Sequence, residues 1–215
     1  MRVGSDTAAV AGWNPAVGAR MRRSAGQSAG STPAPDLEQA DDRALVAAFV
    51  AGRREAFDVI VRRHQRHVYQ LCYRFVGNHE DASDLSQDVF VRAFKGLGKF
   101  KGDAALGTWL YRVGVNVCLN RVALKRPAVE PIEDRPHVDD RAEDSFDRVA
   151  RGERAARLQR AIQSLPPKQR ATVVLRVYQD LSHEQIARVL GSSVGAVKAN
   201  FFHALGNLRR ALGAS

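Results

Sequence analysis

Cysteine and methionine are scarce, two of each in 215 residues, and no apolar run approaches the roughly 18 residues that a membrane-spanning helix needs. The scarcity of cysteine excludes a disulfide-stapled secreted scaffold; Cys72 and Cys118 lie in apolar helical surroundings and read as small core residues in a reducing compartment. Asp6, Asn14 and Pro15 interrupt the stretch where a signal peptide carries its apolar segment, so a cytoplasmic protein is expected. Zinc spacing is missing too: His64, His67 and Cys72 do not supply four converging ligands. Glycine-rich phosphate loops and nucleophile–base pairs are also absent, so we expect no cofactor, no metal, no catalytic residue and no enzyme.

Charge, by contrast, is plentiful and uneven. The formal net charge of +10 points to a polyanionic partner, nucleic acid or an acidic membrane surface. By segment it is +1 over residues 1–40, −1 over 41–91, +7 over 92–129, −6 over 130–147 and +9 over 148–215. Two basic blocks flank one acidic block.

Residues 1–36 hold five glycines and three prolines with no apolar period, the composition of a disordered tail, within which Met21 is a second candidate start. From Asp42 helical spacing begins: Leu45, Val46, Phe49 and Val50 up to Gly52, then Phe57, Ile60, Val61, Val68, Leu71, Cys72 and Phe75 up to Gly77-Asn78. A third helix is expected from about His79 to Lys95 and a fourth from about Thr108 to Lys125, the latter with Leu110, Val113, Val117 and Leu124 apolar, around a loop from Gly96 to Gly107. Pro127, Pro131 and Pro136 among the carboxylates of Glu130 to Asp147 read as a flexible acidic linker over 127–147. Beyond it the pattern predicts helices over Val149–Ser164, Pro166 to about Gln179, Ser182–Leu190 and Val194–Leu212. The expected fold is all-α: two small helical domains, 37–126 and 148–215, the second a four-helix helix-turn-helix domain.

Three constellations carry chemistry. Ser182 to Leu190, a turn at Gly191 and a helix from Val194 have helix-turn-helix punctuation, with Ile186, Ala187, Leu190, Val197 and Leu208 inward and Lys198, Asn200, His203, Arg209 and Arg210 outward. The same pattern fits an ordinary helical hairpin with a solvated polar face. Phe100, Lys101, Trp109, Tyr111, Arg112, Asn116 and Asn120 mix cations for phosphates with aromatic faces and amides for unstacked bases, which suits single-stranded DNA; aromatics taken singly also suit a core. Glu80, Asp84 and Asp88 recur at i, i+4, i+8 with Asp81 and Gln87 beside them, an acidic stripe that reads as a solvated face or a docking surface for a basic partner.

Taken together, Asp84-Leu-Ser-Gln-Asp-Val-Phe-Val-Arg-Ala-Phe, Phe100-Lys-Gly-Asp, Thr108-Trp-Leu-Tyr-Arg, Asn116, Leu165-Pro-Pro-Lys-Gln-Arg, Leu181-Ser-His-Glu-Gln-Ile-Ala and Ser193-Val-Gly-Ala-Val-Lys resemble the extracytoplasmic-function branch of bacterial sigma factors, in order and over residues 42–212. The resemblance implies a promoter-specificity subunit that binds core RNA polymerase, recognises −10 and −35 promoter elements and helps melt the DNA. It assigns polymerase docking to Glu80, Asp81, Asp84, Gln87 and Asp88. It assigns the single-stranded −10 element to Phe100, Lys101, Trp109, Arg112, Asn116 and Asn120, and the duplex −35 element to Arg176, Lys198, Asn200, Phe202 and His203. Many members carry arginine near Asn200, His203 and Leu205, and Gly206 interrupts a usually basic helix, so the resemblance extends to the architecture and not to the −35 base preference. An anti-sigma protein, membrane-anchored for many members, is a further implied partner. The competing readings are a free-standing helix-turn-helix regulator of duplex DNA and, on Glu80, Asp84 and Asp88 alone, a carboxylate-metal nuclease.

Overall fold

The computed structural model describes residues 36–124 and 145–213, and every regular element among them is a helix. The expected tail and most of the expected acidic linker lie outside the described residues.

The first bundle begins with α1, Asp42–Val50, started by Asp41, whose carboxylate accepts the Ala44 N–H. α2, Glu55–Val76, turns Phe57, Ile60, Val68, Leu71, Cys72 and Phe75 inward, following the expected apolar period. It stops at Gly77, left-handed at φ +78, where any side chain would be strained and its Cβ would fall on the Gln163 amide. Asn78 then caps α3, His79–Gly96, by accepting the Asp81 N–H. A 3₁₀ turn, Leu97–Lys99, opens the loop.

α4, Leu106–Leu124, starts ahead of the expected Thr108 because buried Leu106 already belongs to its packed face. That face is Leu106, Leu110, Gly114, Val115, Val117 and Cys118. Leu124, one of the helix's apolar positions, is 81% exposed at its last turn. Between α2 and α4 the chains approach closely: a Cβ on Gly114 would lie 2.6 Å from Leu71 Cδ2. Phe94 meets Phe49 and Phe57 edge to face, with centroids 5.2 and 5.1 Å apart, and Phe49 and Phe57 lie tilted at 5.7 Å. Each fully buried side chain of this kind stabilises the bundle by about 1.5–3 kcal/mol.

The second bundle begins with α5, Ser145–Ser164, so helix already includes the last residues of the expected linker. α6, Pro167–Val173, accepts proline in its first turn, where no intrahelical N–H is needed. The expected continuation to Gln179 changes winding: Val174–Tyr178 is a π-helical turn, ended by Asp180 at φ +50. α7, His183–Leu190, has a capping box, with Ser182 Oγ accepting the Gln185 N–H and Gln185 Oε1 accepting the Ser182 N–H. Gly191, left-handed at φ +57, turns the chain into α8, Val194–Leu212, which Ser193 caps. Ile162, Leu175, Ile186, Val197 and Ala204 form the centre of this bundle.

The two bundles touch. α2 meets α5 and the π turn, while α4 meets α6 and α7. Gln159 of α5 is buried; its amide donates to Tyr73 O (3.0 Å) and Arg74 O (3.3 Å), and its oxygen accepts from Arg74 Nη1 (3.1 Å). Arg74 also lies over the Tyr178 ring, 4.3 Å from its centroid. Arg170 of α6, 8% exposed, donates to Phe75 O at 2.7 Å and, within its own bundle, to Gln163 O and Leu165 O. Burial lowers the pKa of this guanidinium, and the three carbonyls answer for its charge.

Candidate nucleic-acid interface

The loop after α3 and the first turns of α4 enclose a cavity of about 320 Å³, lined by Lys99, Phe100, Lys101, Asp103, Thr108, Trp109 and Arg112 among others. Phe100 and Trp109 make its aromatic wall, centroids 5.4 Å apart and planes tilted by 53°. Both rings are only half-buried, so they pack on the core with one side and leave the other accessible. Along α4, Thr108, Arg112, Asn116 and Asn120 repeat every fourth residue, about 6 Å apart along the axis. Arg112, Asn116 and Asn120 are exposed, which removes them from the core and answers why two amides share one face. Tyr111 points the other way: half-buried, its phenol is held above its usual pKa by burial and stays neutral. Six sequence-derived candidates therefore line or adjoin one surface, Asp103 and Thr108 of the motifs quoted above line it with them, and sequence reasoning missed Lys99. Lys99 belongs to the +7 block and was legible as charge.

On the opposite side of α4, α3 presents its acidic stripe. Glu80, Asp84 and Asp88 are exposed and Gln87 half-buried. A shallow depression there is lined by Asp81, Asp84, Leu85, Gln87, Asp88, Val91 and Arg121. Asp81 behaves differently from its neighbours: it is 9% exposed and its carboxylate binds Arg121 Nη2 at 2.6 Å and Asn78 Nδ2 at 2.7 Å. It supports the face and does not form it. Among the described residues no group of three or more His, Cys, Asp or Glu side chains is placed to hold a metal ion, which leaves the nuclease reading without a site.

In α8 the residues Val197, Phe201, Ala204 and Leu208 face inward at helical spacing, with Phe201 edge-on to His183 at 5.8 Å. The outer face carries Lys198, His203 and Phe202, the last 73% exposed, with Asn200 half-buried on its flank. Arg176, exposed on the π turn, donates to Leu181 O at 3.2 Å just ahead of α7, and the exposed Val177 follows it. An exposed recognition helix flanked by cations, beside a loop with aromatic walls and a basic rim, is equipped for both duplex and unstacked DNA.

Comparison with known proteins agrees with this geometry. The profile for Sigma-70 region 2 matches residues 60–126, and that for Sigma-70, region 4 matches residues 155–208. The ECF RNA polymerase sigma factor SigM of Mycobacterium tuberculosis is 41% identical over 173 residues, covering 80% of this chain and 85% of the relative. The chain belongs to the extracytoplasmic-function sigma factors. The sigma-E factor of Escherichia coli is 31% identical over 176 residues, covering 78% of this sigma factor and 92% of its own length. The solved structure of CnrH in complex with the cytosolic domain of CnrY is 27% identical, with a TM-score of 0.61, covering 84% of this chain and 99% of that one. As a sigma factor the protein is a transcription initiation factor that binds core RNA polymerase and promoter DNA. The free-standing regulator reading gives way to this one. No helix of the described residues is long and apolar enough to cross a membrane.

Proposed function

We propose that this sigma factor divides its work among three surfaces. Glu80, Asp84, Gln87 and Asp88 dock on a basic face of core polymerase, with Asp81 holding that face in place. Phe100, Lys101, Trp109, Arg112, Asn116 and Asn120 capture the melted −10 strand. Arg176, Lys198, Asn200, Phe202 and His203 read the −35 duplex. The observation that carries the reading is the basic cavity walled by Phe100 and Trp109. Flipping a base out of the stack costs a few kcal/mol, and stacking on an aromatic side chain returns about 1–3 kcal/mol per base. A duplex-only regulator has no use for such a cavity.

The protein acts by binding, as an initiation factor in the cytoplasm and not as an enzyme. Restraint by an anti-sigma protein belongs to the same reading: the related CnrH was solved with the cytosolic domain of CnrY bound. The test is transcription with purified core polymerase. Promoter-dependent initiation that requires this chain is the expected outcome, and start-site mapping after overexpression should reveal shared −10 and −35 sequences. Specific duplex binding and repression without polymerase would overturn the reading.

A further inference from the structure

Two large apolar side chains stand exposed on α8 itself: Phe202, 73% exposed, and Leu205, 46% exposed and one turn further along. Phe202 is among the residues assigned to the −35 duplex, and Leu205 is not. The inward face of the helix is complete without them, in Val197, Phe201, Ala204 and Leu208. Neighbouring apolar side chains that a core does not need form a patch, and such a patch marks a contact surface. The cations around it, Lys198, Arg209 and Arg210, are all exposed and argue for a polyanion as the occupant.

Spacing says what the patch meets. Lys198, Phe202, Leu205 and Arg209 recur at i, i+4, i+7 and i+11, one strip along the exposed side of α8. Eleven positions separate the two cations, about 16 Å along the axis, and the major groove is about 12 Å wide. With the strip turned into the groove, Lys198 and Arg209 reach the phosphates of its two walls, and the apolar pair lies over the base edges between them. Nothing bulky holds the helix away: Gly195, Ala199 and Gly206 occupy the adjoining strip, with open space where a Cβ would stand at both glycines.

Base edges in the major groove present hydrogen-bonding groups at every pair and a single kind of apolar group, the C5-methyl of thymine. A G·C pair under the same two side chains would give up water from its polar edge and gain no partner for it. Residues three apart advance about 4.5 Å along a helix, against about 3.4 Å per base pair, so the two side chains meet neighbouring pairs. We propose that Phe202 and Leu205 read the methyl groups of thymines at neighbouring −35 pairs, which makes Leu205 a specificity-determining residue of this sigma factor. The proposal rests on the −35 role of α8 and adds base chemistry to it: Asn200 and His203 supply hydrogen bonds, and the apolar pair selects A·T.

The experiment uses holoenzyme made from the full-length chain and core polymerase, with the duplex −35 segment of a promoter mapped by its start site. Each thymine of that segment, on either strand, is replaced in turn by deoxyuridine, which removes the methyl group and leaves every hydrogen-bonding group in place. The parent should lose affinity about three- to fivefold at two neighbouring pairs, the value of one buried methyl group, and keep it elsewhere. Leu205→Ala should abolish the loss at one of those pairs and Phe202→Ala at the other. Each variant is compared with itself on the two duplexes, so a general change in folding or affinity cancels. A −35 segment without A·T pairs, or deoxyuridine without effect at every position in the parent, overturns the proposal. Variants that keep the parent's full sensitivity overturn it as well, and variants that bind −35 DNA as the parent does give the patch to a protein partner instead. Failure of the duplex to bind specifically at all overturns the −35 role of α8, a result distinct from specific binding that is blind to the methyl group.

Discussion

Arg121 Nη2 sits 2.6 Å from the Asp81 carboxylate and ties the last turns of α4 to the first turn of α3. Asp81 is the buried partner, with 12% of its side chain exposed against 43% for Arg121. Removing a buried charged acceptor costs about 1.5–3 kcal/mol, whereas removing the exposed partner of such a pair costs about 1 kcal/mol or less. Asp81→Ala should therefore lower the urea midpoint clearly more than Arg121→Ala. Loss of core binding by Asp81→Ala with no loss of stability would make it a docking residue after all.

The exposed stripe should respond in the opposite sense. Asp84→Lys with Asp88→Lys reverses two charges on a solvated helix face and should leave the thermal midpoint nearly unchanged. Affinity for core polymerase should fall by about tenfold or more, with a weaker dependence on salt, while binding of duplex −35 DNA by the full chain stays as it was. Fluorescence anisotropy with labelled chain decides it; unchanged core affinity would move the docking face elsewhere.

Phe100→Ala and Asn116→Ala should separate melting from docking. Loss of one stacking platform removes about 1–3 kcal/mol of strand capture, equivalent to about five- to 150-fold in open-complex formation. A fluorescent base analogue at −10 reports opening, and competition with unlabelled chain reports core binding. Equal losses in both measurements would refute the division of roles.

Cys72 has its thiol pKa raised, first by the hydrogen bond with Cys118 and then by burial. A thiol raised above 9.0 in the folded state leaves stability intact below that pH and erodes it as pH climbs through the folded value, because only the unfolded chain ionises readily. Unfolding free energy should thus be flat to about pH 9 and decline beyond it, and Cys72→Ala should flatten that decline. In native protein at pH 8 neither Cys72 nor Cys118 should react with a thiol reagent, and both should react in denaturant.

One substitution at two glycines should give opposite signs. At Gly114 the new methyl group meets fully buried Leu71, and overpacking costs about 1–3 kcal/mol. At Gly206, in the interior of α8 with open space around it, alanine should stabilise by about 0.5–1 kcal/mol through helix propensity. Chemical denaturation of the two variants is sufficient; stabilisation at Gly114 would mean that α2 and α4 can move apart freely.

Local signals were legible where local physics sets the outcome. Ser182 and Gln185 announced their capping box, Gly77 and Gly191 their left-handed turns, and the apolar periods of α2 and α8 their buried faces. The charge stripe of α3 and the cluster around Phe100 likewise needed only helical spacing to be found. What stayed hidden depends on neighbours distant in sequence. Leu124 is apolar at the right spacing yet exposed, at the last described residue of α4. Asp81 looks like its acidic neighbours, and its partners are Asn78, three positions back, and Arg121, 40 positions on. The π turn at Val174 and the burial of Arg170 and Gln159 follow from packing between bundles, to which no periodicity within one helix refers.

Glycine at position 77 answers to two demands at once. The backbone asks for it because φ is +78, and the Gln163 side chain asks for it by occupying the space a Cβ would take. Asparagine or aspartate, the usual replacements in a left-handed turn, would satisfy the first demand and violate the second. The added atoms would act as a wedge between the α2–α3 corner and α5. A hinge glycine in one bundle therefore doubles as the keyhole for a side chain of the other, and a tolerated change there would announce itself as altered spacing between the bundles with the corner itself intact.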